Sequence, residues 1–332
     1  MDRSATSVIL GFLFQANAAI VLMLDNMKEL KSIRLECNED IDIELNDGTY
    51  VLAQAKCVEK SSTDFANVRA NAKKAMDSLS DGSHRVSAKE VIYITNSPDP
   101  FKESLSKNMF YGPSVVKYDE LPSITQGLIS DYLSQISQPL DKSKLTIRIL
   151  PFEGDDERQR YKVVWNAISD FLDDLGLNES GFRKKLHNVW EGMLYRSGSK
   201  ADKDITLGKK DIVWPIIVCV TGHDVLDRDA QYCMGLDDGV FEEIKSRYSE
   251  IIDYCSERYE LVAKIIADYS LIKRNDRDSI GGFINDHWSD YIDNFGLDSI
   301  DESIRCSLIK IILYRILVKR YAIDRIKKGV NL

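Results

Sequence analysis

The sequence predicts an α+β protein, with a mixed-sheet α/β sandwich in its first part and an all-α second part. Three observations carry this. The stretch "DIDIELN" alternates strictly, placing Asp40, Asp42 and Glu44 on one face and Ile41, Ile43 and Leu45 on the other, which is the period of a half-buried strand. Short strand-like runs and helical patterns alternate up to about residue 150. From Asp155 onward the apolar residues recur almost everywhere at steps of three and four. A chain of 332 residues also exceeds what one core usually organises. We therefore expect two domains, 1–150 and 151–332.

The elements follow in order. Residues 8–30 read as an amphipathic helix, with Ile9, Phe12, Leu13, Ala16, Ile20 and Leu24 near helical spacing. "SIRLE", "DIDIELN" and "TYVLAQAK" read as three strands, and "DFANVRANAKKAMDSL" as a helix with Asp64 as its N-cap. "EVIYITN" is a buried strand ended by the turn "SPDP", and "SVVKY" and "LTIRIL" are further short strands. In the second part, "RYKVVWNAISDFLDDLG" carries Val164, Trp165, Ile168 and Leu172 on one face and stops at Gly176. One apolar stripe runs from about Val240 to Ile272, through Phe241, Ile244, Tyr248, Ile251 and Cys255 to Tyr269. A final helix from Asp301 to Lys328 follows a capping box, Ser299 to Glu302, and is apolar over most of its circumference. These two helices predict an interface with a partner or a second copy.

Composition narrows the function. Hydrophobic residues make up 44% and charged residues 29%, a globular balance. The net charge of -9 is unlike that of a dedicated nucleic-acid binder, so any DNA contact must be local or supplied by a metal ion or a partner. No uninterrupted apolar run reaches the roughly 18–20 residues of a membrane span, because Gln15 and Asn17 break the N-terminal one. Six cysteines without a CxxC pair argue against a zinc site and for reduced thiols in a cytoplasm. There is no Walker A or G-x-S-x-G sequence.

The acidic hairpin is the informative segment. A two-residue Asp47-Gly48 turn would set Asp42 opposite Ala53 and send the acids and the Gln54/Lys56 pair to opposite faces. A three-residue loop, Asn46-Asp47-Gly48, pairs Leu45 with Thr49, sets Asp40 opposite Gln54 and Asp42 opposite Leu52, and puts Asp40, Asp42, Gln54 and Lys56 on one face. A carboxylate, an amide oxygen and an ammonium that converge suit metal-assisted phosphodiester hydrolysis. A hard cation takes oxygen ligands and activates water, and a lysine stabilises the extra negative charge of the transition state.

These residues resemble the PD-(D/E)XK nuclease core in the variant where Gln replaces the second acid, as in Mrr-like restriction endonucleases. "GFLFQ" at 11–15, "ECNEDIDI", "DG", "AQAK" and "IYITN" together resemble the double-stranded DNA endonuclease domain on effectors of anti-phage systems such as CBASS and Lamassu, over about residues 8–150. The resemblance implies a restriction-endonuclease-like sandwich working with Mg²⁺ or Mn²⁺. It implies Asp40 as metal-binding acid, Gln54 as second ligand, Lys56 as catalytic lysine, Glu36 as an upstream acid and Gln15 as a supporting helix glutamine. Asp42 is an equally good metal ligand by alternation, so the choice between it and Asp40 stays open. The partners implied are double-stranded DNA and other defence subunits, such as an SMC-like ATPase, with a homo-oligomer as the active form. No motif beyond residue 150 supports a cyclic-oligonucleotide sensor domain, which favours control by other proteins. Competing expectations are a silent nuclease-fold scaffold and an RNA nuclease.

Other polar clusters have plainer readings. Lys60, Arg69, Lys73 and Lys74 either track a DNA backbone or form a solvated helix face. His223, Asp224, Asp227 and Asp229 in "TGHDVLDRD" read as a polar loop. His187 beside Trp190 and His287 beside Trp288 read as packing histidines.

Overall fold

The computed structural model describes residues 5–58, 65–177, 181–222, 238–240, 242, 258–272, 279–295 and 301–332. It is α+β, as expected, and divides into two compact units. Met1–Asp174 with Asn178–Lys209 form the first, and Leu175–Leu177 with Lys210–Leu332 the second.

The first unit is built on a seven-stranded sheet. Its strands are β1 (Leu30–Leu35), β2 (Ile41–Leu45), β3 (Tyr50–Lys56), β4 (Ala88–Thr95), β5 (Ser114–Lys117), β6 (Leu145–Ile149) and β7 (Leu207–Gly208). The order is β5-β6-β4-β3-β2-β1-β7. The central pairs β3–β4 and β4–β6 are parallel and the others antiparallel, so the sheet is mixed. The parallel strands are almost wholly buried, which accounts for the continuous apolar run "VIYIT" of β4.

Helix α2 (Phe65–Arg85) connects β3 to β4 and lies on one face. Its Ala72, Ala75, Met76 and Leu79 pack with Leu52, Val91, Tyr93 and Ile147 of the sheet and with Ile129 and Leu133 of α3 (Ser123–Leu133). Small residues at helical spacing let α2 sit close to the strands. Helix α1 (Ala5–Asp25) packs on β1, β2 and β3 and on two later helices, α5 (Lys162–Asp174) and α6 (Phe182–Gly198). The single turn α4 (Glu157–Arg160) leads into α5.

Two expectations are corrected here. Helix α1 is not amphipathic over its second half, because every residue from Phe14 to Leu24 is buried. Val8–Asp25 is long and apolar enough to cross a membrane by length and composition, and most of it is enclosed by the fold. The domain boundary also moves from 150/151 to 209/210. The apolar faces of α5 and α6 are spent on α1 and β1, and β7 adds a strand beyond β1, so residues 151–209 complete the sheet unit.

The second unit is helical: α7 (Lys209–Gly222), α8 (Arg258–Ile272), α9 (Ser279–His287), a 3-10 turn at Trp288–Asn294, α10 (Glu302–Val318) and α11 (Arg320–Val330). The final helix expected from Asp301 to Lys328 is two helices, broken at Lys319. Leu308, Ile311, Ile312 and Ile316 are buried, and α10 packs on α8, α9 and the 3-10 turn of the same unit. Most of its apolar circumference is thus covered inside the chain, with Val318 left exposed, which weakens the reason for expecting a partner there. Positions 241 and 243–257 of the stripe between Val240 and Ile272 lie outside the described residues, as do Ser299, Asp64, Lys60 and the polar cluster from His223 to Asp229.

Candidate functional site

The register of the hairpin decides which side chains meet. β2 pairs with β3 through Ile41↔Ala53, Asp42↔Leu52, Ile43↔Val51 and Glu44↔Tyr50. The Leu45 amide donates to Thr49 O at 2.8 Å and Gly48 N to Leu45 O at 3.0 Å, with Gly48 at φ +80. This is the three-residue loop with a left-handed glycine. The Asp47 carboxylate accepts from the Thr49 amide at 2.9 Å and its hydroxyl at 2.6 Å, which fixes the loop and holds the Asp47 carboxyl below its ordinary range.

Asp40 stands just before β2, facing the end of β3. Its Oδ2 accepts from the Gln54 amide nitrogen and from the Ala55 amide at 2.9 Å, and lies 3.8 Å from Lys56 Nζ. Asp40, Gln54 and Lys56 therefore converge. The site faces α2, since Leu52, two residues before Gln54 and on the same face, belongs to the α2 core. Burial pushes the Asp40 carboxyl up to about 6, against the lowering effects of Lys56 and the Ala55 amide, with Glu36 and Asp42 adding to the rise.

Asp42 does something else. Its Oδ2 accepts from the Asn38 amide at 2.6 Å and Oδ1 from the Glu39 amide at 3.1 Å. Both oxygens are committed to the turn between β1 and β2, so Asp42 is not gathered with Asp40 as a second ligand. Among the described residues no three His, Cys, Asp or Glu side chains form a metal-holding group.

That turn, residues 36–40, is fastened from several directions. Glu36 adopts φ 57, a left-handed conformation that costs a non-glycine residue roughly 1 kcal/mol and recurs at functional sites. From α1, Gln15 Nε2 donates to Glu36 Oε1 at 2.8 Å and to Asp40 O at 2.7 Å. Gln15 thus holds the backbone of the acid turn rather than pointing at the Asp40 carboxylate. From α2, Ser78 donates to Glu39 Oε2 at 2.8 Å, and the Glu39 carboxyl packs against Gly82. Burial, with Asp40 and Asp42 nearby, pushes Glu39 up to about 7.

Glu39, Ser78 and Gly82 were not singled out in the sequence. The signal for Glu39 was present: it sits off the alternation of β2, in a turn too acidic for a mere connector.

The remaining candidates fall outside this cluster. Arg69 donates to the carbonyls of Phe101 and Lys102, and Lys73 to Gln135, so both are occupied by the fold, whereas Lys74 is exposed. His187 is a buried packing residue, as read. Its Nε2 meets Asn17 Oδ1 at 2.7 Å, and its ring lies 4.8 Å from that of Tyr161 and 6.1 Å from that of Trp165. Burial pushes it down to about 4, opposed by hydrogen bonding to Asn188. His287 pairs with Asp290 at 3.0 Å on the second unit.

No family model and no curated protein matches the chain. Two solved structures do, both of the Acinetobacter baumannii Cap4 SAVED/CARF-domain containing receptor. The one with the cyclic trinucleotide 3'3'3'-cAAA shares 16% identity over 68% of this chain and 47% of that one, at a TM-score of 0.36. The one with 2'3'3'-cAAA shares 14% identity over 79% and 58%, at a TM-score of 0.37. The chain thus spans about half the length of these receptors. A likeness at this level carries no functional argument.

Proposed function

We propose that the first unit is a divalent-metal-dependent phosphodiesterase that cuts DNA. The observation that carries this reading is the meeting of Asp40, Gln54 and Lys56 at the end of β3. The donor set fits a hard cation: the Asp40 carboxylate and the Gln54 amide oxygen are oxygen ligands, few enough for Mg²⁺ or Mn²⁺ to keep several waters. When bound there, the cation would lower the pKa of a water and neutralise charge on the phosphate.

The chain's own residues do the rest. Gln54 and the Ala55 amide orient the Asp40 carboxylate. Lys56, 3.8 Å from that carboxylate, is placed to stabilise the developing charge on a phosphate beside it. Gln15 and Asp42 hold the turn that presents Asp40. The role in anti-phage defence, and restraint of the nuclease until partner subunits release or oligomerise it, rest on the sequence resemblance.

One observation favours the silent-scaffold reading. Asp40 Oδ2 already takes two hydrogen bonds and an ion pair within the chain, so the cluster is satisfied without a cation. Incubating the purified chain with plasmid DNA and Mg²⁺ or Mn²⁺, with and without its neighbouring gene products, decides between them. Nicking that needs the metal and vanishes in Asp40→Asn supports the nuclease. Metal-independent DNA binding without any cleavage supports the scaffold.

A further inference from the structure

Arg34 of β1 is buried, yet its hydrogen bonds go to main-chain carbonyls. Nη1 donates to Asp202 O at 2.6 Å and Ile205 O at 2.7 Å, and Nη2 to Lys200 O at 2.9 Å, while Nε has no hydrogen-bond partner. Burying a guanidinium is costly. What it secures here is the shape of one loop, residues 199–206, between α6 and β7.

Both ends of that loop are fixed as well. Gly198 at the end of α6 lies against Leu35, so close that a Cβ would stand 3.0 Å from the Leu35 Cβ. Leu207 pairs with Ile33 at the other end. Ser197 Oγ donates to Ile205 O at 3.4 Å, and the Asp204 amide to Asp202 Oδ1 at 3.0 Å.

The loop carries Lys203 to the acid turn, where its Nζ donates to Cys37 O at 3.1 Å. Lys203 is exposed, and its partner is a neutral carbonyl. The ammonium can therefore turn to an arriving anion without breaking an ion pair. The turn it touches holds Glu36, Glu39 and Asp40 and repels phosphate. A chain of net charge -9 must offset that repulsion with cations fixed at the rim. Lys56 serves the reacting phosphate. A polymer brings further phosphates along the same edge.

Building on the phosphodiesterase reading, we propose that Lys203, presented by the Arg34-clamped loop, binds a backbone phosphate flanking the scissile one, so that the site prefers polymeric nucleic acid to a simple phosphodiester. Arg34 is then a positioning residue for this contact.

The test compares two substrates in the full chain: a short DNA duplex, and bis(p-nitrophenyl) phosphate, which has only the reacting phosphate. In Lys203→Ala the ratio of kcat/KM for duplex to that for the small diester should fall about 3–10-fold. The salt dependence of duplex binding, measured in an Asp40→Asn background that cannot cut, should become shallower by about one unit of slope. Lys203→Arg should restore both. An unchanged ratio and slope, or an equal loss on both substrates as a structural role would give, overturns this inference and leaves the phosphodiesterase standing. A wild-type chain that hydrolyses neither substrate, with or without its neighbouring gene products, overturns both.

Discussion

Asp42 accepts the Asn38 amide at 2.6 Å and so closes the turn that carries Asp40. Two acids two positions apart, one just before β2 and one on it, thus have different work. Asp42→Ala should cost about 1–3 kcal/mol, because two amides of the turn lose their acceptor. Asp40→Asn should abolish metal-dependent cleavage while shifting stability by less than about 1 kcal/mol. Thermal melts and cleavage assays on both variants check the split, and a reversed pattern would exchange the two roles.

Lys56 is only partly buried and makes one long ion pair, so its contribution to stability is small. Lys56→Ala should lower cleavage by at least about 10²-fold while the melting temperature stays close to that of the parent. Cleavage at the parental rate under activating conditions would sink the assignment.

Gly82 lies on the inward side of α2 against Glu39: an added Cβ would stand 2.9 Å from Glu39 Cγ. Gly82→Ala should therefore destabilise by about 1–3 kcal/mol, despite the gain of up to about 1 kcal/mol in helix propensity. Gly192, inside α6 with nothing within 4 Å of its Cβ position, is the control. Gly192→Ala should stabilise by about 0.5–1 kcal/mol. Denaturant titrations of the pair measure the difference, and equal effects would mean that Glu39 is not held against α2.

His187 is enclosed by Asn17, Tyr161 and Trp165, with Glu191 on the same polar cluster through Asn17. Its folded pKa, about 4, lies below the unfolded value of 6.5, so the unfolded chain binds the proton first on acidification. The stabilisation is full above about pH 6.5 and is lost progressively as pH falls toward 4, by at most about 3 kcal/mol. Asp40 and Glu39, raised by burial, act with the opposite sign, so the test is a difference. His187→Gln should lose less stability than the parent between pH 7 and pH 4. Parallel slopes in urea titrations across that range would contradict it.

The hairpin was legible in the sequence because loop chemistry and alternation are local. Asn46-Asp47-Gly48 names its own turn type, and strand period then aligns Asp40 with Gln54. The choice between Asp40 and Asp42 was not legible. Alternation treats them alike, and only the amides of Asn38 and Glu39, which donate to Asp42, separate them. The boundary at 150 failed because the stripe of α5 shows that the helix is buried, not which surface buries it. Arg34 and Lys203 lie 169 positions apart in the sequence, and what brings their loop back to β1 is a two-residue strand, β7, and the packing of Gly198 on Leu35, neither of which has a local signature. The final helix read as continuous because its break at Lys319 uses no glycine or proline.

Completion of the sheet unit by residues as late as Lys209 has a temporal side. The acid turn leaves the ribosome early, but the loop bearing Lys203 follows some 163 residues later, about 8–30 s at ordinary elongation rates of roughly 5–20 residues per second. During that interval β1 is an open edge and α1 lacks the α5 and α6 cover it later receives. A nascent chain therefore has Gln15 and Ser78 to fasten the turn of Asp40, but not yet the loop that carries Lys203. On the proposed reading, such a chain would meet small phosphodiesters before it could grip a polymer, because its sheet unit closes only when residues up to Lys209 are out.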